Sequence, residues 1–425
     1  MKILFLHNRY QQSGGEDVAV QAEKDLLESH GHSVTLLEAE NSSINGFWSS
    51  AGAAASGVYS LTWKKRIHAQ MAAARPDVVH VHNFFPLISP AVHWAAREAG
   101  VPLVQTLHNY RLLCPNAIFF RNGRVCEDCL GKFFPWPAVT HACYRDNWQA
   151  TGAVASMLAL HKTARTWTQS VDAYIALSNF ARRKFIKGGL PSEKLFVKPN
   201  FTSRPLADAD FESAKSSSAN NGSASHGEFA LFAGRLVPEK GPHTLIAAWR
   251  QLSVAIPIWI YGDGPLLADL QAQCSQLSLR GISFAGRVSR HELLCAMKKA
   301  RFLVFPSEWY ECFPMTLVEA FACGVPVVAA RLGAAQEIVE EGSTGLFFNP
   351  GDSADLARKV EWAWTHPREM TEMGKAARQE YELKYTPEVN LRLLLQVYAR
   401  AMHAQGRESA AQSLPETLSN HLLLD

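Results

Sequence analysis

Short apolar runs of four to six residues recur along this chain, each followed by a segment long enough for a helix, and the rhythm stops once and then restarts. That alternation reads as successive βα units and predicts parallel sheets flanked by helices. In the first series the expected strands are 2–6, 33–38, 77–82, 102–108 and 173–177, with a helix over about 18–29 after the polar loop Ser13-Gly14-Gly15-Glu16. In the second they are 229–233, 256–261, 282–285, 302–306 and 325–329. Between the two series lies KSSSANNGSASHG, residues 215–227, which offers almost nothing to bury and reads as a flexible linker.

The expected fold class is therefore α/β, with two Rossmann-like, doubly wound domains facing a cleft. The expected boundaries are an N-terminal domain over 1–205, a linker over 206–228, a second domain over 229–385, a C-terminal helix over 386–404 and a disordered tail over 405–425. Length agrees, because 425 residues exceed the roughly 250–300 at which single cores stop growing. A formal net charge of +3 is too small to indicate a nucleic-acid partner. The opening Met1–Leu6 turns polar at His7-Asn8, too soon for a signal peptide, and no apolar run reaches membrane-spanning length, so a cytoplasmic location is expected.

Chemistry concentrates where the expected strands end. After the strand at 302–306 comes SEWYECFPMTLVEAFACG, with Glu311 in the loop, Pro314 suited to a helix start, Glu319 on the helix and Gly324 at its stop. Free amides at the start of such a helix bind phosphate. One carboxylate before that position and one beyond it suit a ligand with hydroxyls at both ends, such as a nucleotide sugar. Taken alone, two glutamates would be ordinary surface charges. They are joined, however, by Arg235 and Lys240 at the exit of the strand at 229–233, where two cations could neutralise a diphosphate. Gly262-Asp263-Gly264-Pro265 follows another strand and is equally well explained as a tight turn.

Taken together, the Gly14-Gly15 loop, His108, Gly234-Arg235 with Lys240, the Gly262–Pro265 turn and the E-x7-E pair Glu311 and Glu319 resemble the retaining, GT-B-fold glycosyltransferases of family four, in particular bacterial enzymes of surface-polysaccharide assembly. The resemblance spans roughly residues 1–385. It implies transfer of a sugar from a nucleotide-sugar donor to a saccharide acceptor, expected to be lipid-linked. Gly14 and Gly15 would admit the donor's distal phosphate and sugar. Arg235 and Lys240 would meet the pyrophosphate, and Phe313, Pro314, Met315 and Thr316 would present backbone amides to it. Glu311 would hold sugar hydroxyls, Glu319 the ribose, His108 would stand beside the transferred sugar, and Arg287-Val288 would meet the base through the backbone. The catalytic set is thus His108, Glu311, Arg235 and Lys240. No catalytic metal is expected, and Asp208-Ala209-Asp210 beside the linker is an accidental Asp-x-Asp. A sugar-nucleotide epimerase of the same fold and a non-catalytic nucleotide-sugar-binding scaffold are the competing functions, and a glycosyl phosphorylase would need a pyridoxal-phosphate lysine that has no evident context here.

Two further features stand apart. Cys114, Cys126, Cys129 and Cys143 follow a C-x11-C-x2-C-x13-C spacing within an irregular excursion over 114–143. That spacing is compatible with a structural zinc, with free thiols in a long loop, and with an iron–sulfur cluster on the same ligands. Trp48, Trp63, Lys64, Lys65 and Arg66 could face the inner membrane or form an ordinary solvated helix face.

Overall fold

The structure, a computed structural model, describes residues 1–9, 14–40, 57–203 and 227–406. Trp48, the Asp-x-Asp at 208–210, linker residues 215–226 and the tail 407–425 lie outside the described residues. The chain divides into two compact units. One comprises Met1–Arg121, Cys126–Asn200 and the chain from Pro387 onward; the other comprises Phe201–Thr386 together with the short segment Asn122–Val125. The C-terminal helix Pro387–Ala404 is thus part of the first unit, where it packs on the helix Gly15–Ser29 and on the sheet.

The first unit holds β1 (Lys2–Arg9), β2 (Ser33–Glu40), β3 (Val78–Asn83), β4 (Leu103–Leu107), β5 (Phe120–Arg121), β7 (Ala173–Ala176) and β8 (Leu195–Val197), while β6 (Arg124–Val125), which pairs with β5 in a minimal hairpin, lies in the short segment Asn122–Val125. Six of these form a sheet in the order β2-β1-β3-β4-β7-β8, every pair parallel, with Ile3 level with Val34 on one side and Val78 on the other. Strands covered on both faces read as continuous apolar runs, which is how β3, β4 and β7 are buried throughout. β1 runs three residues beyond the expected Leu6, because His7 and Asn8 are themselves buried and keep the pairing with β2.

The second unit holds β9 (Ala230–Ala233), β10 (Ile258–Tyr261), β11 (Ile282–Gly286), β12 (Phe302–Phe305), β13 (Val327–Ala330) and β14 (Gly345–Phe348). Their order is β11-β10-β9-β12-β13-β14, again all parallel. Phe232, Ile246, Ile258, Phe302 and Val328 belong to the core beneath this sheet. β8 and β14 have no counterpart among the sequence-derived strands: three and four residues are too short to show a period.

Each order reverses direction once, between β1 and β3 in the first unit and between β9 and β12 in the second. In open parallel sheets ligands bind at the carboxyl edge beside that reversal, since adjacent loops there diverge to opposite faces. Gly14 after β1, Arg235 and Lys240 after β9 and Glu311 after β12 fall on these loops, whereas His108 follows β4, Arg287 follows β11 and Glu319 lies on a helix. Among the described residues no helix is long and apolar enough to cross a membrane.

Candidate active site

In the second unit the loops at the carboxyl edge are laced together by backbone. Gly234 N–H donates to Tyr261 O at 3.0 Å, Leu236 N–H to Asp263 O at 2.9 Å and Gly262 N–H to Gly286 O at 2.8 Å. Gly262 has φ +141, and a Cβ on it would stand 1.8 Å from Gly234 O. The Gly262–Pro265 turn is therefore a close approach between two strand exits, which only glycine permits. Gly241, at φ +67, likewise lies so near Pro306 that a Cβ would meet its carbonyl at 2.0 Å, which joins the exits of β9 and β12.

That junction brings Lys240 and Glu311 together. Lys240 Nζ donates to Glu311 Oε1 at 2.7 Å, and Ser307 Oγ donates to the same oxygen at 2.7 Å. Both charged side chains are largely covered, at 19% and 11% exposure, which sets the pair apart from a surface ion pair. Nζ also sits 5.7 Å from the Trp309 ring centre, within cation–π range. Among the described residues Trp309 Nε1, which is buried, has no hydrogen-bond partner. Arg235 differs: it is 63% exposed and reaches Glu239 at 3.8 Å, leaving its guanidinium in solvent.

The helix Met315–Ala322 starts four residues beyond Glu311. Pro314 supplies its cap without a side-chain hydrogen bond, so the first-turn amides of Met315 and Thr316 have no partner within the helix. Phe313 turns the other way, its ring buried 5.9 Å from that of Tyr385, so its backbone alone is offered toward the helix start. One turn further, Glu319 Oε1 accepts from Arg290 Nε at 3.1 Å, and Arg290 also donates to Thr202 Oγ1. Burial pushes the Glu319 carboxyl up, and Arg290 pulls it only part of the way back. Arg287 is exposed and Val288 half-buried on the turn after β11.

Arg290, Ser307 and Trp309 are site residues that the sequence reading passed over. For Arg290 a signal existed: Ser289-Arg290-His291-Glu292 is a capping box, with Ser289 Oγ accepting from Glu292 N–H, so Arg290 opens a helix at the strand edge.

In the first unit Gly14 caps the helix Gly15–Ser29. Its φ of −119 is open to any residue, and among the described residues nothing lies within 4 Å of where a Cβ would stand, so neither the backbone nor the packing of those residues requires glycine there. Asp17 Oδ2 accepts from Gly14 N–H and Oδ1 from His7 Nε2, both at 2.8 Å. Burial would raise the Asp17 carboxyl, yet these two hydrogen bonds hold it below its ordinary value. Neither His7 nor Asp17 was among the expected site residues.

His108 follows β4 and its Nε2 shares a proton with His82 Nδ1 at 3.1 Å, the two rings stacked with centres 5.4 Å apart. His80 lies behind, 4.1 Å from the His82 ring centre, its nitrogens hydrogen-bonded to Tyr398 Oη and Thr106 Oγ1, each at 2.8 Å. Burial, with neighbouring positive charge, pushes His108 down to about 3 and holds His80 and His82 well below the ordinary histidine value. The imidazole that the first unit presents is neutral near pH 7.

A pH prediction follows. Fully buried His80 and His93, the latter pushed down to about 4, stay neutral in the folded chain while their unfolded counterparts protonate below about 6.5. Their contribution is complete above that pH and is lost as pH falls toward the folded values, at about 1.4 kcal/mol per pH unit for each histidine. The melting temperature should drop steadily from pH 6.5 to 4.5, and His93→Gln should flatten that slope. A slope unchanged by the substitution would remove His93 from the account.

With this geometry described, similarity to known proteins is informative. Residues 14–203 match the family described as Glycosyltransferase Family 4, and residues 214–380 match Glycosyl transferases group 1. The chain is 33% identical over 160 residues to the D-rhamnosyltransferase WbpZ of Pseudomonas aeruginosa, covering 37% of this chain and 42% of that protein. It is 36% identical over 335 residues to the sulfoquinovosyl transferase SQD2 of Arabidopsis thaliana, covering 76% of this chain and 56% of that protein. The chain thus spans about half the length of these curated relatives. Among solved structures, Anabaena HepE in complex with UDP-glucose superposes with a TM-score of 0.64 at 22% identity, covering 93% of this chain and 98% of that one, a likeness of fold. By both family matches and by this architecture, the chain belongs to the group 1 glycosyl transferases of GT-B fold.

Proposed function

We propose that this protein is a retaining glycosyltransferase that moves a sugar from a nucleotide-sugar donor to a lipid-linked saccharide in surface-polysaccharide assembly. The observation that carries the reading is the covered Lys240–Glu311–Ser307 cluster at the β9/β12 reversal, beside a helix start with free amides. Curated relatives include an O-antigen chain mannosyltransferase of Escherichia coli, and HepE holds UDP-glucose. Both favour polysaccharide chemistry and a nucleotide-sugar donor.

In this reading the amides of Met315 and Thr316 receive the diphosphate, Arg235 swings in from solvent as a second clamp, and Lys240 meets the charge that grows on the leaving oxygen. Glu311 accepts hydrogen bonds from sugar hydroxyls and Glu319 from the ribose. His108, being neutral, can hydrogen-bond a hydroxyl without opposing the positive charge that develops at the anomeric carbon. The bond from that carbon to the diphosphate breaks, the bond to the acceptor oxygen forms on the same face, and the acceptor proton leaves with the diphosphate. None of these steps calls on a metal or an organic cofactor.

A lipid-linked acceptor is favoured by one surface in particular. Phe133, Phe134, Trp136 and Trp148 are 58%, 38%, 56% and 66% exposed. Lys132 lies 5.7 Å from the Trp136 ring centre. Exposed aromatics beside cations suit a headgroup interface and a cytoplasmic, peripheral location. The cluster around Trp63 fits less well: Lys64 is paired with Glu98 at 2.6 Å and Arg66 lies over Trp63 at 4.6 Å, as on a solvated helix face.

A thermal-shift panel of nucleotide sugars, followed by donor-turnover assays with product identification, tests the proposal. An epimerised free donor would point to the epimerase, and binding without turnover to the scaffold. In the same assay Glu319→Gln should raise the donor KM more than it lowers kcat, since ribose contacts act in ground and transition states alike. A change confined to kcat would place Glu319 at the reacting centre instead.

A further inference from the structure

Independently of that reading, we propose that Cys114, Cys126, Cys129 and Cys143 form a structural tetrathiolate zinc site that holds the excursion following β4.

All four cysteines, with Arg121 and Asp128, line one cavity of about 20 Å³, enough for a single small ion or water. They arrive from separate local structures. Cys114 ends a turn closed by its N–H to Tyr110 O at 2.9 Å, and Cys126 follows the β5–β6 hairpin with its N–H on Phe119 O at 2.8 Å. Cys129 lies in the next turn, and Cys143 follows the helix Trp136–Thr140 with its N–H on Ala138 O at 3.0 Å. Convergence of four thiols across thirty residues of irregular chain is not expected from loop packing alone.

The excursion needs such a staple. Between Asn116 and Ala142 its one large apolar side chain in the core is Phe119, while Phe133, Phe134 and Trp136 face outward. Ala117, Phe119, Asn122 and Ala142 hold positive φ, four of the ten non-glycine cases among the described residues, and Arg145 and Asp146 follow just beyond the excursion. Each costs on the order of 1–3 kcal/mol and persists only where the surroundings over-determine it. Hydrophobic burial there is too small to do so, whereas a metal can.

The charge balance also fits. Zinc would take four thiols to a dianionic centre with release of four protons, and Arg111 beside Cys114 and Arg121 beside Cys143 lie near enough to favour the thiolates. No three of these sulfurs lie within 4.8 Å of one another here, whereas a zinc tetrathiolate with bonds of about 2.3 Å would bring them to roughly 3.8 Å. Rotation of the thiols into the cavity they already share is the required closure. The grouping that does meet that distance, Glu23 with His80 and His82, already has a cation, Lys198 Nζ, at 3.1 Å from Glu23.

The test uses the full chain purified under reducing conditions with zinc supplied and no chelator. Elemental analysis should find about one zinc per chain, released on titration with a mercurial. Cobalt substitution should give the absorption of a tetrahedral tetrathiolate. Cys126→Ser and Cys143→Ser should each lower metal content at least severalfold and speed proteolysis within 114–143, while Cys274→Ser, a buried cysteine of the second unit, should change neither. If the variants do not fold, the wild-type metal content and cobalt spectrum still decide. Iron with acid-labile sulfide, a disulfide within the set, or a folded metal-free chain whose four thiols titrate freely would each overturn the site.

Discussion

Lys240→Ala is expected to lower kcat by about 10²-fold or more while changing the donor KM by less, the scale seen when one preorganised electrostatic partner is removed. The structure sharpens that expectation. Because Lys240 Nζ and Glu311 Oε1 are 2.7 Å apart and mostly covered, each substitution disturbs the other residue. Lys240→Ala leaves Glu311 with the Ser307 hydroxyl as its remaining close partner on Oε1, while Glu311→Ala frees Lys240 to move. The two losses should therefore overlap, with the double variant no more than about threefold worse than the poorer single one, as contacting residues depart from additivity. Steady-state kinetics on the four species with one matched donor and acceptor measures this. Near-wild-type kcat in both single variants would mean that the β9/β12 reversal is not where the chemistry occurs, and full multiplicativity would mean that the pair does not act as a unit.

Legibility in the sequence followed the range of the interactions involved. The α/β class, the two sheets and most of their strands were readable because segments such as β7, β9 and β12 are short apolar runs bounded by polar residues. Lys240 was readable from the glycine-flanked exit of β9, and Glu311 and Glu319 from their spacing around Pro314 and Gly324, a helix start and stop. What could not be read was either short or remote. Ser307 and Trp309 are single residues in a loop, with no period to mark them. The Gly262–Pro265 turn looked ordinary because its reason is Gly234 on a neighbouring strand exit. The C-terminal helix revealed its amphipathic pattern but not that it packs with the first unit, since Tyr398 meets His80 across 318 positions of sequence. Nor does any local pattern mark Glu23 and Lys198, which meet across 175 positions of sequence.

Those last two residues carry the largest stability effect expected in this chain. Lys198 is fully buried, and its Nζ donates to Glu23 Oε2 at 3.1 Å and to Asn390 Oδ1 at 3.2 Å. Glu23 is 2% exposed, and its other carboxylate oxygen lies 3.7 Å from His80 Nδ1. Asn390, in turn, ties the C-terminal helix to Pro199 O at 2.7 Å. Removing one member leaves an uncompensated charge in the core, so Glu23→Gln should destabilise the first unit by about 3–5 kcal/mol. Replacing both charges, Glu23→Leu with Lys198→Met, should recover most of that loss, because two apolar side chains of similar volume need no solvation. Lys198→Met alone should resemble Glu23→Gln, as it strands the carboxylate, and should also loosen the helix at 387–404 to proteolysis. Denaturant melts of the three variants separate these outcomes. A Glu23→Gln protein within about 1 kcal/mol of wild type would show that water reaches this pair, and a double variant no better than the singles would show that shape, rather than charge, is what Glu23 and Lys198 supply.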